Sequence, residues 1–226
     1  NVTSAVFLSR PNRFVAQVLL EGEVITVHVK NTGRCRELLI PGARVYVQRH
    51  RNPARKTALS LIAVEKDGRL VNIDSQAPNA VWQEALAGGL LLPGRPEAAA
   101  LIRREAVFGD SRLDFYIEWP EVRGWMEVKG VTLEEQGVVR FPDAPTERGR
   151  KHLRELSRAA REGWYAAVVF VIQMEGVSYF TPHRQMDPAF ADALEEAVRC
   201  GVAALAYDCT VEPDGLIIRN SVEVVL

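Results

Sequence analysis

The chain has 226 residues, with 28 Lys and Arg against 29 Asp and Glu and a formal net charge of −1 at pH 7. This balance argues against a protein that coats nucleic acid with its whole surface, and no apolar run approaches the ~18 residues of a membrane span. The three cysteines stand at unrelated spacings, which argues against a disulfide framework or a zinc ribbon. No signal peptide is evident. We expect a cytoplasmic protein of one or two domains with no membrane partner.

The first 75 residues predict a small β-barrel. Five short strands are predicted at residues 13–20, 23–30, 44–49, 58–65 and 70–74. Glu21-Gly22 forms a hairpin turn between the first two of them. Five short strands within this length are typical of a small closed barrel.

Positive charge is concentrated in the same part of the chain. Residues 1–75 hold twelve Lys and Arg against six Asp and Glu, whereas residues 76–226 hold sixteen against 23. Clustered basic side chains are typical of phosphate binding, and the alternative is a basic surface without a ligand. The side chains expected to bind a nucleic-acid backbone are Arg34, Arg36, Arg49, Arg51 and Lys56.

A helix is predicted next, over residues 77–86, and Gly88-Gly89 ends it. We place the domain boundary here, with a basic, nucleic-acid-binding barrel at residues 1–80 and an α/β domain at residues 81–226. Trp82 is interpreted as a core residue between the domains rather than a platform for stacking bases.

Two alternating runs then form the most informative part of the chain. Residues 111–118 and 125–130 alternate polar and apolar side chains, as half-buried strands do. Residues 119–124 between them have the composition of a turn. A hairpin centred on this turn pairs residues whose numbers sum to 241, so that Asp114 lies opposite Glu127. The apolar side chains expected to face a core are Leu113, Phe115, Ile117, Met126 and Val128.

Asp114, Glu127 and Lys129 would share the polar face of this hairpin. Two carboxylates across a ladder repel each other, and Mg²⁺ or Mn²⁺ bound through oxygen would relieve that repulsion. Such a metal lowers the pKa of bound water and shields charge on a phosphate. Lys129 would position the water or neutralise the transition state. The alternative is a solvated polar face with a surface ion pair.

An Asp followed by Glu-x-Lys on the next strand resembles the working part of the PD-(D/E)xK nuclease superfamily, with Leu113 where Pro often precedes the Asp. In that superfamily a Glu on an upstream helix often joins the metal site. The resemblance implies Glu105 as this third metal ligand. The pattern around Glu105 is too short to predict a helix or a strand.

A helix opens within residues 141–156, where Asp143 or Thr146 can serve as its N-cap. Gly149 lies on its buried stripe, at a cost of about 1 kcal/mol relative to Ala, and we expect close backbone approach to the sheet there. The basic side chains predicted to contact phosphate are Arg148, Lys151 and His152. The alternative is a solvated basic helix face.

The rest of the chain predicts an α/β sheet flanked by helices. Residues 165–173 are almost wholly apolar, which indicates a central strand buried on both faces. Gln173 at its end is either a substrate contact or a core-edge amide. Further elements are predicted at residues 188–200 (a helix capped by Asp187), 202–211 (a strand), and 216–218 with 222–225 (a closing strand pair).

Three motifs together resemble the sugar fermentation stimulation protein A family: Phe141–Leu156, Glu127-Val128-Lys129 and Asn31-Thr32-Gly33-Arg34. The likeness covers nearly the whole chain, with Lys30 in place of Pro and Gly130 in place of Asn. It implies an N-terminal OB-like β-barrel plus a C-terminal PD-(D/E)xK nuclease-like mixed sheet flanked by helices. It also implies DNA binding and a role in regulating genes of sugar metabolism.

The leading hypothesis is therefore a DNA-binding protein with Mg²⁺- or Mn²⁺-dependent nuclease activity. One alternative is a non-catalytic DNA-binding transcriptional regulator that retains the nuclease fold. Another is an enzyme that processes RNA or a small molecule. The sequence leaves the oligomeric state open, a homodimer included, and no helix-turn-helix or zinc-finger spacing indicates a reader of base sequence.

Overall fold

The computed structural model describes residues 2–31, 33–50 and 57–226. No helix in these ranges has the length and apolar character needed to cross a membrane. The N-terminal strands are β1 (Val2–Asn12), β2 (Val15–Leu20), β3 (Glu23–Val29), β4 (Arg44–Arg49), β5 (Leu59–Lys66) and β6 (Arg69–Asn72).

The N-terminal sheet has the order β3-β2-β1-β4-β5-β6, and a further pairing between β3 and β5 closes it into an OB-like barrel. The closed barrel and its five predicted strands are confirmed, and inward-facing Ala16, Val18 and Val27 are fully buried. Strand β1 was not predicted. Its alternation is weak because only Ala5 and Phe7 are buried and bulges interrupt its pairing with β2.

The C-terminal elements are α1 (Ala77–Ala87), β7 (Leu101–Phe108), β8 (Ser111–Glu118), β9 (Arg123–Val131), β10 (Leu133–Glu135), β11 (Val138–Phe141), α2 (Glu147–Arg161), β12 (Tyr165–Ile172), β13 (Tyr179–Pro182), α3 (Pro188–Arg199), β14 (Ala203–Glu212) and β15 (Gly215–Val224). The sheet order is β10-β11-β13-β15-β14-β12-β9-β8-β7. The short strands β10, β11 and β13 were not predicted, and β15 is one strand rather than the expected pair.

Strand β12 lies at the centre of this sheet, parallel to both β9 and β14, and is buried from Ala166 to Ile172. Helix α1 packs on one face, where Trp82 shares a core with Phe115. Helices α2 and α3 pack on the other face, where Leu153 and Phe190 share a second core. The predicted central strand and flanking helices are confirmed, and Trp82 is a core residue with no exposed surface.

The hairpin of β8 and β9 has the predicted register, because Phe115 pairs with Met126 and Tyr116 pairs with Trp125. Both pairs have numbers that sum to 241. Leu113 departs from expectation, since it packs in the α2-side core and not with Phe115 in the α1-side core. Burial still alternates along β8, but its buried side chains change from the α2 side to the α1 side at Asp114, where side-chain hydrogen bonds join it to β9.

The start of α2 is tied to the start of α3. Thr146, rather than Asp143, is the N-cap of α2, and its Oγ1 accepts from the Gly149 N–H at 3.0 Å. Asp187 caps α3 and also accepts from the Thr146 N–H at 2.8 Å. A Cβ on Gly149 would lie 2.8 Å from Thr146 Cγ2 and 3.2 Å from the Phe190 ring. The close approach at Gly149 is thus to its own cap and to α3, not to the sheet.

The three cysteines are free, as expected from their spacing. Burial raises the pKa of the Cys35 thiol and of the Cys209 thiol to about 12. Both thiols are therefore protonated near neutral pH and are buried in the core.

Candidate functional site

Two carboxylates from neighbouring strands lie side by side. The Asp114 N–H donates to Oε2 of Glu127 at 3.3 Å, and the Val128 N–H donates to Oδ2 of Asp114 at 2.8 Å. Each carboxylate thus bonds to the backbone of the other strand. This arrangement agrees with the predicted register, and the backbone hydrogen bonds hold the two acids together.

Lys129 joins the pair from the next position of the same face. Its Nζ lies 2.5 Å from Oε1 of Glu127, and its side chain is 15% exposed. The distance and burial make this a charge-assisted hydrogen bond rather than a solvated surface pair. The structure thus brings together the three residues Asp114, Glu127 and Lys129.

His152 of α2 completes the surroundings of Glu127. It is 4% exposed, and its Nδ1 hydrogen-bonds to Oε1 of Glu127. Because an ionised carboxylate can only accept, Nδ1 carries the proton. The structure therefore places His152 inside the carboxylate site, as a partner of Glu127, and not on the exposed face of the helix.

Asn79 of α1 supports the other acid. Its Nδ2 donates to Oδ1 of Asp114 at 2.9 Å. Helix α1 on one side of the sheet and helix α2 on the other thus each fix one carboxylate. Sequence reasoning missed Asn79, because no local pattern connects a helix residue to a strand 35 positions away.

The two acids differ in pKa although they are neighbours. Burial, and then the charge of Glu127, raise the pKa of Asp114 above its ordinary value. Burial also acts to raise the pKa of Glu127, but the hydrogen bond from His152 and the charge of Lys129 outweigh it and hold this pKa below its ordinary value. Glu127 is therefore the more readily ionised member of the pair, and its negative charge makes ionisation of Asp114 less favourable.

The structure does not bring Glu105 to this pair. Glu105 lies on strand β7, not on a helix, between Arg104 and Ala106, which pair with Phe115 and Leu113 of β8. Its carboxylate is exposed and pairs with Arg112 at 3.2 Å. Within residues 2–31, 33–50 and 57–226, no group of three or more His, Cys, Asp or Glu side chains is arranged to hold a metal. The site that the structure offers is a carboxylate pair.

Arg148 and Lys151 lie on the exposed surface of α2, near its N-terminus. Lys151 Nζ donates to the backbone carbonyl of Asp110, 3.0 Å away in the turn between β7 and β8. Lys151 thus lies at the turn that leads into β8, and Arg148 and Lys151 remain predicted phosphate contacts.

An arginine pocket of about 400 Å³ lies on the barrel, with Arg10, Arg13, Arg34 and Arg36 in its wall. Arg10 organises this pocket, because its guanidinium donates to four backbone carbonyls. The acceptors are Arg13 (2.9 Å), Asn31 (2.6 Å), Gly33 (2.9 Å) and Arg34 (2.8 Å). Sequence reasoning had not singled out Arg10, since it lies on the unpredicted strand β1.

The other barrel residues expected to bind nucleic acid are spread more widely. Arg34 and Arg36 have exposed side chains at the arginine pocket, whereas Arg49 is exposed at the end of β4. Arg51 and Lys56 lie outside the described residues. The Arg34 N–H donates to Oδ2 of Asp143 at 3.3 Å, which links the arginine pocket to the segment that leads into α2.

Comparison with known proteins identifies relatives of both parts of the chain. A family model described as the sugar fermentation stimulation protein RE domain matches residues 76–215, and a model described as the SfsA N-terminal OB domain matches residues 8–73. A sugar fermentation stimulation protein homolog from Ruminiclostridium cellulolyticum is 48% identical over 99% of this chain and 97% of its own length. A homolog from Desulfitobacterium hafniense is 51% identical over 96% of this chain and 92% of its own length.

A solved structure is similar over the whole chain. It is described as Pyrococcus furiosus SfsA in complex with Ca²⁺. Its sequence is 32% identical, its TM-score is 0.90, and the match covers 100% of this chain and 96% of that one.

Proposed function

The chain belongs to the sugar fermentation stimulation protein family, and on this premise we propose that it binds DNA and cleaves phosphodiester bonds with the help of a divalent cation. The observation that carries the proposal is the adjacency of Asp114 and Glu127, joined by the 3.3 Å hydrogen bond from the Asp114 N–H. Lys129 and His152 contact the same acid.

The residues fit a hard divalent cation such as Mg²⁺ or Mn²⁺. Burial, and then the charge of Glu127, raise the pKa of Asp114, so a bound cation would offset part of the cost of ionising this carboxylate. Mg²⁺ is commonly held by one or two carboxylates, with water and substrate phosphate supplying the other oxygens, so a pair is sufficient. The Ca²⁺ complex described for the Pyrococcus furiosus relative supports a divalent cation in this family.

The side chains of the site have separate roles in the proposed cleavage. When bound, the cation would lower the pKa of a bound water molecule and neutralise part of the negative charge on the phosphate. Lys129 supplies a proton donor and a positive charge at the same edge, where charge grows on the phosphoryl oxygens. His152 and Asn79 hold Glu127 and Asp114 in place from opposite faces of the sheet. Arg148 and Lys151 bind neighbouring phosphates, and the barrel arginines hold the strand further away.

The test is a cleavage assay on single-stranded DNA, duplex DNA and RNA with Mg²⁺, with Mn²⁺ and with a chelator. We expect cation-dependent cleavage by the wild-type protein. Glu127→Gln should lower the rate by more than ~100-fold, beyond the loss typical of residues that only support a metal ligand. Glu121→Gln is the matched control, because Glu121 is an exposed acid in the turn of the same hairpin. Absence of cleavage with either cation, or equal rates for the two variants, contradicts the catalytic proposal.

A non-catalytic DNA-binding regulator is the second candidate, and one observation favours it. Both oxygens of Glu127 already have partners, since Lys129 and His152 bind Oε1 and the Asp114 N–H binds Oε2. Such a site is stable without a cation. In that case DNA binding persists in chelator, falls with rising salt, and is unchanged by Glu127→Gln.

A further inference from the structure

An interdomain cavity of about 200 Å³ reaches the strand that carries part of the carboxylate site. Its lining combines Asn31, Gly33 and Ser75 of the N-terminal part with Gly130, Thr132 and Gln173 of the α/β part. Gly130 lies on β9, the strand that also carries Glu127 and Lys129. The cavity therefore reaches β9 three residues beyond Glu127.

Gln173 presents a fixed hydrogen-bond acceptor to this cavity. It is 1% exposed, and its Nε2 donates to Oδ1 of Asn72 at 2.9 Å and to the carbonyl of Asp74 at 3.1 Å. Because a backbone carbonyl cannot donate, the amide has only one possible orientation. In the part of the chain that the structure describes, nothing donates to Oε1. A Cβ placed on Gly130 would lie 2.5 Å from this oxygen, so Oε1 packs against Gly130, and both residues line the cavity.

The cavity also connects the two charged features of the molecule. Gly33 lines both the cavity and the arginine pocket. A Cβ on Gly33 would lie 2.7 Å from Oδ2 of Asp143, so the barrel loop closely approaches the segment before α2. The arginine pocket and the cavity therefore adjoin at Gly33, and the cavity reaches strand β9 at Gly130, three residues beyond Glu127; we call this path the track.

We propose that this cavity receives one unpaired nucleobase, next to the phosphodiester held at Asp114 and Glu127. This inference rests on the proposed function and deepens it, since it names single-stranded or locally unpaired nucleic acid as the substrate. An N–H of the base donates to Oε1 of Gln173. The phosphates beyond it follow the track to the arginine pocket.

Size and hydrogen bonding both favour an unpaired base. At ~30 Å³ for each water, the cavity holds roughly six or seven waters or one group of base size, and not a base pair. The N–H donors on the Watson–Crick edge of a base are occupied in a duplex and are free in a single strand. Enzymes that modify a base show that a protein pocket can hold one extruded base and read that edge. An acceptor alone suits any base, so little sequence preference is expected.

The experiment measures binding by fluorescence anisotropy in chelator, so that no cleavage occurs. The probes are a single-stranded oligonucleotide, its duplex, and a series in which one abasic site moves along the single strand. For the full wild-type chain we expect the single strand to bind more tightly than the duplex. One abasic position should weaken binding by about fivefold or more, the scale of losing one base contact, and the others should have little effect.

Paired variants test the location. Ser75→Trp fills the cavity from its exposed rim and should remove the sensitivity to the abasic position. Gln76→Trp is the matched control, because Gln76 is the exposed neighbour and does not line the cavity. Ser75→Ala controls for the hydrogen bond from Ser75 Oγ to the Lys30 carbonyl.

The outcomes separate this inference from the proposed function. Equal binding of all abasic probes by the wild-type protein, together with equal behaviour of the two tryptophan variants, overturns the base pocket. Metal-dependent cleavage and DNA binding can survive that result. If none of the nucleic acids binds, the proposed function and the base pocket both fail.

Discussion

At the scale of single residues, the site is defined by two buried carboxylates that lie next to each other. Asp114 and Glu127 are neighbouring acids, and only Glu127 has cationic and N–H partners strong enough to lower its pKa. Neighbouring like charges lower the stability of the folded protein, and destabilising arrangements of this kind are typical of functional sites. The cost should be measurable in the protein without a cation.

Asp114→Asn should abolish metal-dependent cleavage, and the metal-free variant should lose less stability than the wild type between acidic and neutral pH. Asn keeps only one of the two acceptor oxygens that Asn79 and the Val128 N–H use, so the prediction concerns the change with pH and not the net stability. The expected relative gain at neutral pH is about 0.2–1 kcal/mol, the scale of a like-charge pair across a ladder. Because the folded-state pKa of Asp114 is raised, ionisation opposes folding and the cost appears as pH rises through that pKa. The gain should therefore vanish as pH falls below the unfolded pKa of an Asp, about 3.9.

Urea unfolding of wild type and variant across pH 3.5–7.5 checks this prediction. Asp110→Asn is a suitable control, since Asp110 is an exposed acid in the neighbouring turn. A stability difference that is constant with pH would show that ionisation of Asp114 does not oppose folding.

At the scale of elements, the position of α2 depends on how its first turn meets α3. Thr146 caps α2, Asp187 caps α3, and Asp187 also binds the Thr146 N–H and Arg150. Although burial opposes it, hydrogen bonds from the Thr146 and Phe190 backbones and the charge of Arg150 hold the pKa of Asp187 below its ordinary value. This junction fixes the position of the first turn of α2 relative to α3. It thereby helps to hold His152 beside Glu127.

Gly149→Ala should destabilise the protein by ~1–3 kcal/mol, although Ala is the better helix former. Its Cβ would lie 2.8 Å from Cγ2 and 2.9 Å from Oγ1 of Thr146, so Thr146 cannot turn away without losing its cap. Thermal unfolding measures the effect, with Arg154→Ala on the exposed face of α2 as control. A higher melting temperature for Gly149→Ala would mean that helix propensity, and not packing, decides at this position.

At the scale of the whole molecule, the barrel and the α/β sheet share structure. One contiguous buried core contains Val27 and Val71 of the barrel as well as Leu153 and Phe180 of the sheet domain. Gln173 bonds to Asn72, and Arg69 donates to the Gly176 carbonyl at 3.2 Å. Two units joined in this way should not unfold independently.

We predict a single cooperative unfolding transition for the full chain. All four tryptophans, Trp82, Trp119, Trp125 and Trp164, lie beyond the barrel. Tryptophan fluorescence therefore reports on the α/β part, whereas far-UV circular dichroism also reports on the barrel strands. The two urea curves should coincide, and separate midpoints would show that the barrel unfolds on its own.

The sequence alone determined the local elements and one long-range pairing. Periodicity fixed the central strand β12 and helices α1 and α3, and the turn between β8 and β9 fixed the register that brings Asp114 to Glu127. Local side-chain patterns are sufficient where one face is buried, because a slip of one residue would turn every side chain of a strand to the wrong face. Strands β1, β10, β11 and β13 were beyond this reasoning, since they are short or irregular and are stabilised by neighbours distant in the chain.

Only the tertiary structure decided which distant residues meet. His152, predicted as a phosphate contact, lies in the carboxylate site and bonds to Glu127. Asn79 and Arg10 have structural roles that the sequence did not indicate. Glu105, predicted as a metal ligand, pairs with Arg112 at the surface. The tertiary structure also places Gln173 in the wall of a cavity that residues of both domains line. Such contacts depend on how helices and loops pack across the sheet, and packing of elements far apart in the chain leaves no periodic pattern in the sequence.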